Sequence, residues 1–312
     1  MNIDDIINSI DSNNLDIAFG RVVNISAVTL SAVGLDVAVG DIVRIESAQK
    51  LYTVLGMVTV LKDGLFVIVP FSFIDGFKIN DKVFLQRDGL TVKCGNGLLG
   101  RVVNALGDPI DDLGKIRDLD TNAPINKESM SPLDRGIIDK KFATGVKAID
   151  SMLTCGKGQK VGIFAGSGVG KSTLMGMIVQ GCEATIKVIA LVGERGREIP
   201  EFIHYNLNNN LENTVIVTAT SDESPLMRKY AAFTAMTIAE YFRDKGYDVL
   251  LMMDSVTRFA MAQREIGLST GEPPVSRGYP PSVFALLPQL MERAGNSKKG
   301  SITAFFTVLV DG

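Results

Sequence analysis

The chain has 312 residues, a formal charge of −3, 46% apolar residues and 21% charged residues, a balance that fits a soluble globular protein with room for two domains and gives no whole-chain attraction to nucleic acid or anionic membrane. Cys94, Cys155 and Cys182 are widely spaced and form no CxxC pair, and His204 is the single histidine. Neither a disulfide framework nor a zinc site is suggested, and a His-cluster metal site and any mechanism needing two imidazoles are excluded.

The chain opens on "MNIDDIINSI", which lacks the basic start of a secretory signal. Ile3, Ile6, Ile7 and Ile10 fall at helical spacing and would share one face of a short helix. A helix of that length cannot stand alone in water, so it needs its own domain or a partner to pack against. From Ala18 to Leu90, apolar runs such as "DIVRIES" and "GLFVIVPF" alternate with Gly, Asp and Asn turn signals, which predicts a small β-barrel or sandwich. The stretch from Gly100 to Gly136 is rich in Gly, Asp, Asn and Pro and reads as an ordered connection. Beyond Asp120, apolar strands separated by helical segments indicate a parallel α/β sheet. Strands are expected near Val161–Ala165, Val188–Val192, Val215–Ala219, Val249–Met253 and Ile302–Val310, and helices starting near Lys171, Pro225 and Pro281. The division is thus an extension over 1–17, a barrel over 18–90 and an α/β domain over 91–312. No apolar run reaches the roughly 20 residues of a membrane span, and the reading is of a cytoplasmic protein.

The strongest chemical signal is "VGIFAGSGVGKSTLMGMI", Val161 to Ile178: an apolar strand, a Gly-rich loop and an immediate helix. Ala165 stands where the strict phosphate-loop pattern has Gly, a relaxed form of the motif. Gly166, Ser167, Gly168, Val169, Gly170 and Thr173 belong to the segment whose backbone amides and helix N-terminus would surround phosphate oxygens. Within it, Lys171 would pair with the β- and γ-phosphates and Ser172 would ligate Mg²⁺. "DVLLMMDSVTRFA" ends another strand in Asp254, the expected metal-holding carboxylate, on a strand expected beside the loop strand at the sheet's carboxyl edge. "KVIALVGERGREIPEF" brings Glu194, Arg195, Arg197 and Glu198 to the same edge. Glu194 lies nearest the strand end and is best placed to orient the attacking water, although spacing alone does not firmly choose it over Glu198. Arg195 and Arg258 could stabilise γ-phosphate charge or simply form surface salt bridges.

"PLDRG", "TGVKAIDSMLTCGKGQK", "LVGERGREIPEF", "TSDESPLMRKYAAFTAMTIAEYFRDKGYDVLLMMDSVTRF" and "RGYPPSVFALLPQLMERAG" together resemble the ATPases of type III protein export, relatives of rotary ATP synthase catalytic subunits, and most of all their flagellar branch. The resemblance runs from about Gly20 to the last residue. It implies an α/β fold class with a small N-terminal β-barrel followed by a RecA-like P-loop domain on a mainly parallel sheet. It also implies a homohexamer at the inner face of the cytoplasmic membrane, peripheral to an export gate. Hydrolysis of ATP with Mg²⁺ would be coupled there to unfolding or release of export substrates and chaperones.

The resemblance also assigns roles. Glu194 matches the family's catalytic glutamate, Lys171, Ser172 and Asp254 its phosphate and magnesium residues, and Arg195 and Arg258 arginines near the γ-phosphate. Implied partners are a stator-like regulatory protein on the isoleucine helix and a central stalk protein, with no nucleic acid. A virulence type III secretion ATPase is the alternative reading; a rotary ATP synthase subunit and a hexameric RNA translocase of the terminator type are more distant. The RNA translocase would need basic residues interleaved with aromatics in the barrel, whereas Phe66, Phe71, Phe73 and Phe77 keep apolar company and tryptophan is absent. Intact Lys171, Ser172, Glu194 and Asp254 also argue against a ring subunit that never hydrolyses. Family members continue beyond "TVLVDG" into further strands, which would cover Ile302–Val310, an arginine finger and a helical domain, so the chain reads as C-terminally truncated. Weak MgATP binding and little hydrolysis are expected of the 312-residue polypeptide, and a steady-state rate equal to that of a longer homologue at equal subunit concentration would overturn this.

Overall fold

The computed structural model describes residues 18–47, 52–166 and 168–310. The isoleucine helix and Ser167 lie outside these residues. The chain divides into two compact units at Gly89 and Leu90.

The first unit holds β1 (Phe19–Ile25), β2 (Leu30–Val33), β3 (Ile42–Glu46), β4 (Thr53–Lys62), β5 (Leu65–Pro70) and β6 (Lys82–Gln86). They pair antiparallel in the order β1-β2-β5-β4-β3-β6 and close on themselves, so the expectation of a barrel or sandwich resolves to a closed barrel without open edges. Alternation along each strand turns Val22, Ala32, Val43, Ile45, Val58, Ile68 and Val83 into the core, all fully buried. Phe66, Phe71 and Phe77 are buried with them, while Phe73 is exposed. The barrel aromatics that do keep cationic company are Phe19 and Phe84, whose rings lie 5.9 Å apart. Arg21 and Lys82 sit over Phe19 at 5.3 and 4.7 Å, and Arg44 over Phe84 at 4.8 Å. Sequence reading overlooked this cluster because cross-strand pairing, Phe19 opposite Phe84 and Arg21 opposite Lys82, assembles it from distant segments.

The second unit contains β7 (Thr91–Cys94), β8 (Val102–Val103), β9 (Thr121–Pro124), β10 (Lys141–Phe142), β11 (Cys155–Gly156), β12 (Lys160–Ala165), β13 (Ile186–Glu194), β14 (Thr214–Thr220), β15 (Asp248–Asp254), β16 (Gly295–Asn296) and β17 (Ser301–Leu309). Its helices are α1 (Lys147–Met152), α2 (Lys171–Gly181), α3 (Glu198–Glu201), α4 (Pro225–Asp244), α5 (Val256–Ser269) and α6 (Pro281–Met291). Six strands form a parallel sheet in the order β12-β17-β15-β13-β14-β8, with β16 antiparallel beside β17. Two small antiparallel pairs, β7 with β9 and β10 with β11, complete the unit.

This order corrects the expectation that the strand ending in Asp254 lies beside the loop strand: β17 runs between them, paired to β12 on one side and β15 on the other. An apolar pattern shows that a strand is buried on both faces but does not encode its neighbours. Ser301 to Thr307 are all buried, as an interior strand requires. The open edge of the described sheet therefore belongs to β12, where Phe164 is 69% exposed. At the opposite edge β8, within the stretch read only as a connection, pairs with β14.

Helix α4 starts where Ser224 caps it, accepting a hydrogen bond from the Met227 amide at 3.2 Å, with Pro225 at the first position. It is buried along nearly its whole length and packs on β13, β14 and β15. Burying Glu240 on it is offset by Arg293, 1% exposed, which reaches the carboxylate with Nε at 3.1 Å and Nη2 at 2.7 Å. Arg293 also donates to Thr237 Oγ1 at 2.9 Å and the Ile125 carbonyl at 2.8 Å. Helix α5, capped by Ser255, was not foreseen as a helix. No helix among the described residues is long and apolar enough to cross a membrane. Removing one partner of a buried pair strands the other's charge, so Arg293→Met is expected to lose about 3–5 kcal/mol of stability by urea denaturation.

Candidate functional site

The carboxyl ends of β13, β15 and β17 and the loop after β12 open onto a cleft of about 550 Å³. The loop after β12 contributes Gly166, Gly168, Gly170, Lys171, Ser172 and Thr173. Val169 points elsewhere and is exposed, and Ser167 lies outside the described residues. Gly170 caps α2 at φ +91°, a left-handed conformation that costs an L side chain, so glycine is what lets the loop turn directly into the helix. Lys171 is thereby the first residue of α2. Its Nζ lies 2.6 Å from Asp254 Oδ1. The same oxygen accepts from Thr307 Oγ1 at 2.6 Å, so the intervening strand β17 bonds to the carboxylate rather than merely separating it from the loop.

Glu194 reaches the cleft by a change of register. Val192 pairs with Ala219 but Glu194 with Thr220, so Gly193 is an extra residue, a β-bulge at φ +69°. A Cβ there would lie 3.1 Å from Arg258 Cδ, which is why the arginine stem can pack flat against the bulge. Arg258 donates from Nη1 to the Gly193 carbonyl at 2.7 Å and holds Nε 3.4 Å from Glu194 Oε1. Glu194 is 8% exposed. Burial first, then the Glu198 carboxyl and the Asp254 charge, push its pKa up to about 7, with Arg258 and Lys171 acting in the opposite direction.

Glu198 lines the cleft too, at the start of α3, with Arg195 3.9 Å away. Arg195 is 65% exposed, so its side chain is largely solvated. The structure therefore brings Lys171, Ser172, Glu194, Arg195, Asp254 and Arg258 to one cleft, together with Arg197 and Glu198.

Sequence reasoning missed two contributors. Thr307 carried a readable signal, a hydroxyl in an otherwise apolar run near the carboxyl end of a buried strand. Asn206 ends a π turn, Phe202–Asn206, that no periodicity announces. Its Nδ2 donates to the Ser172 carbonyl at 2.6 Å and fixes the first turn of α2. Thr307→Val leaves Asp254 Oδ1 with Lys171 alone, and a cost of about 1–3 kcal/mol is expected by chemical denaturation, most of it restored in Thr307→Ser.

Residues 145–312 match the ATP synthase alpha/beta family, nucleotide-binding domain. Over 295 residues the chain is 59% identical to the flagellum-specific ATP synthase of Helicobacter pylori, covering 94% of this chain and 68% of that one. Among solved structures, the assembled ATPase EscN from the type III secretion system of enteropathogenic E. coli superposes with a TM-score of 0.88 at 45% identity, covering 94% of this chain and 70% of that one. EscN in complex with its central stalk EscO superposes at 0.86, with 45% identity, 93% of this chain and 71% of that one. The chain belongs to the ATP synthase alpha/beta family, in its flagellar and type III export branch, and is a P-loop ATPase.

Proposed function

We propose that the chain is the nucleotide-hydrolysing part of a flagellar type III export ATPase, with Lys171, Ser172, Glu194, Asp254, Arg195 and Arg258 as its working residues. The observation that carries this reading is the convergence of an amine, a carboxylate with one oxygen held, and a second carboxylate with a raised pKa on one cleft. The flagellar branch is favoured by the 59% identity to the Helicobacter pylori flagellum-specific ATP synthase.

In this reading the loop amides and Lys171 hold the triphosphate. A hydroxyl and a carboxylate are hard oxygen donors, and both bonds to Asp254 described above fall on Oδ1, so Ser172 and Asp254 fit Mg²⁺ and would hold it, where it would supply neutralisation of phosphate charge. Glu194 orients water and accepts its proton as that water attacks the γ-phosphorus. Arg258 fixes the direction of Glu194 through its bond to the Gly193 carbonyl. Arg195, with its side chain 65% exposed, meets charge on the γ-phosphate.

Likeness to the assembled EscN, and to EscN with its central stalk EscO, supports a ring and a stalk partner for the whole protein. Peripheral attachment at the cytoplasmic side of an export gate, a stator-like partner and delivery of unfolded substrates belong to the same proposal.

Glu194→Gln keeps the shape and removes the proton acceptor. It is expected to lower kcat by about 10²–10⁴ while nucleotide affinity changes little, read by steady-state hydrolysis and fluorescent-nucleotide titration in the full-length gene product. Because the acceptor must be ionised, the rate in the unmodified enzyme should rise with pH through about 7 and level above it. A loss below fivefold in Glu194→Gln would remove Glu194 from this role.

A further inference from the structure

A second cavity, of about 580 Å³, lies under α4 and shares no lining residue with the nucleotide cleft. Asn126, Ser129, Lys229, Phe233, Leu286 and Gln289 line it, together with Lys127, Glu128 and Arg293. Lys229 projects into it from α4 and is 9% exposed. Among the described residues no hydrogen bond or ion pair reaches its amine, and the Tyr230 ring centre is 5.6 Å from Nζ.

The other cations here are already satisfied. Arg293 is bonded to Glu240, Thr237 and the Ile125 carbonyl, and Lys127 stands 3.8 Å from Asp244. Glu128 is exposed and makes no ion pair with Lys229. Burial alone draws the Lys229 pKa down to about 8, so near neutrality the amine still carries most of its charge without a counter-ion. The side chain is largely desolvated while its amine opens on the cavity rather than being sealed from solvent, so an anion entering there would offset the desolvation. Phe233 and Leu286 offer an apolar wall beside it, Asn126 and Gln289 offer amide donors, and the volume is that of small-molecule pockets.

We propose that this cavity is a second ligand site, which takes a small carboxylate bearing a short apolar tail, the carboxylate on the Lys229 amine and the tail against Phe233 and Leu286. Phosphate esters fit less well, because a dianion would meet a single free cation.

Hexanoate and its uncharged counterpart hexanamide test this by isothermal titration of the full chain. Hexanoate should bind one to one and at least about tenfold tighter than hexanamide, a factor equal to about 1.4 kcal/mol. Lys229→Met should abolish that discrimination while nucleotide binding at the other cleft is unchanged. Equal binding of the two probes to the unmodified chain, or undiminished hexanoate binding by Lys229→Met, overturns the proposal. Should the variant fail to fold, reductive methylation of the unmodified chain read by mass spectrometry decides the matter. Hexanoate must then protect Lys229, and methylation of Lys229 at the same rate with and without it is the contrary result.

Discussion

Asp254 Oδ1 accepts from Lys171 Nζ and from Thr307 Oγ1 at 2.6 Å each, so the loop after β12, the end of β15 and the strand between them are tied at one atom. Side chains of Lys171 and Asp254 are nearly buried, which strengthens the attraction and makes either group costly to leave unpaired. The Lys171 amine and the Asp254 carboxylate are thereby held in contact, although the strands that lead to them lie two strand spacings apart in a sheet whose middle member also supplies a hydroxyl.

Much of this was legible in the residues, and the manner of its legibility is informative. The alternation of short runs from Ala18 to Leu90 gave the barrel because period and turn chemistry are local properties. The strands ending in Ala165, Glu194 and Asp254 showed themselves by apolar runs that stop at charge or glycine. Order across the sheet is not local, and so the Asp254 strand is expected beside the loop strand, whereas β17, expected inside the sheet, runs between the two. Helix α5 is not expected from the sequence although Ser255 is a good cap, because the helix begins only two residues after the end of the Asp254 strand with no turn signal between. Spacing leaves Glu194 and Glu198 both open, the resemblance points to Glu194, and the bulge at Gly193 that carries Glu194 to the cleft is something no spacing rule reveals.

Helix α4 illustrates a different division of labour. Its cap, its first-turn proline and its apolar surfaces favour a helix before any contact is made. Tertiary structure then decides how its polar groups are treated. Glu240 is met by Arg293 from beyond α6, whereas Lys229, about one turn from the start of the helix, is buried with no such partner. One helix thus carries both a satisfied and an unsatisfied charge, and the contrast is what separates a structural element from a candidate binding surface.

The bulge at Gly193 has an effect beyond aiming one side chain. In a strand, direction alternates with each residue, so the face a carboxylate looks toward is a matter of parity. By taking up one residue without a partner in β14, the bulge resets that parity at the last position of β13. The aim of Glu194 is consequently fixed by counting along the chain. Apolar exchanges within β13 leave the count intact, but a single inserted or deleted residue ahead of the bulge would have to be absorbed elsewhere or turn the carboxylate away from the cleft.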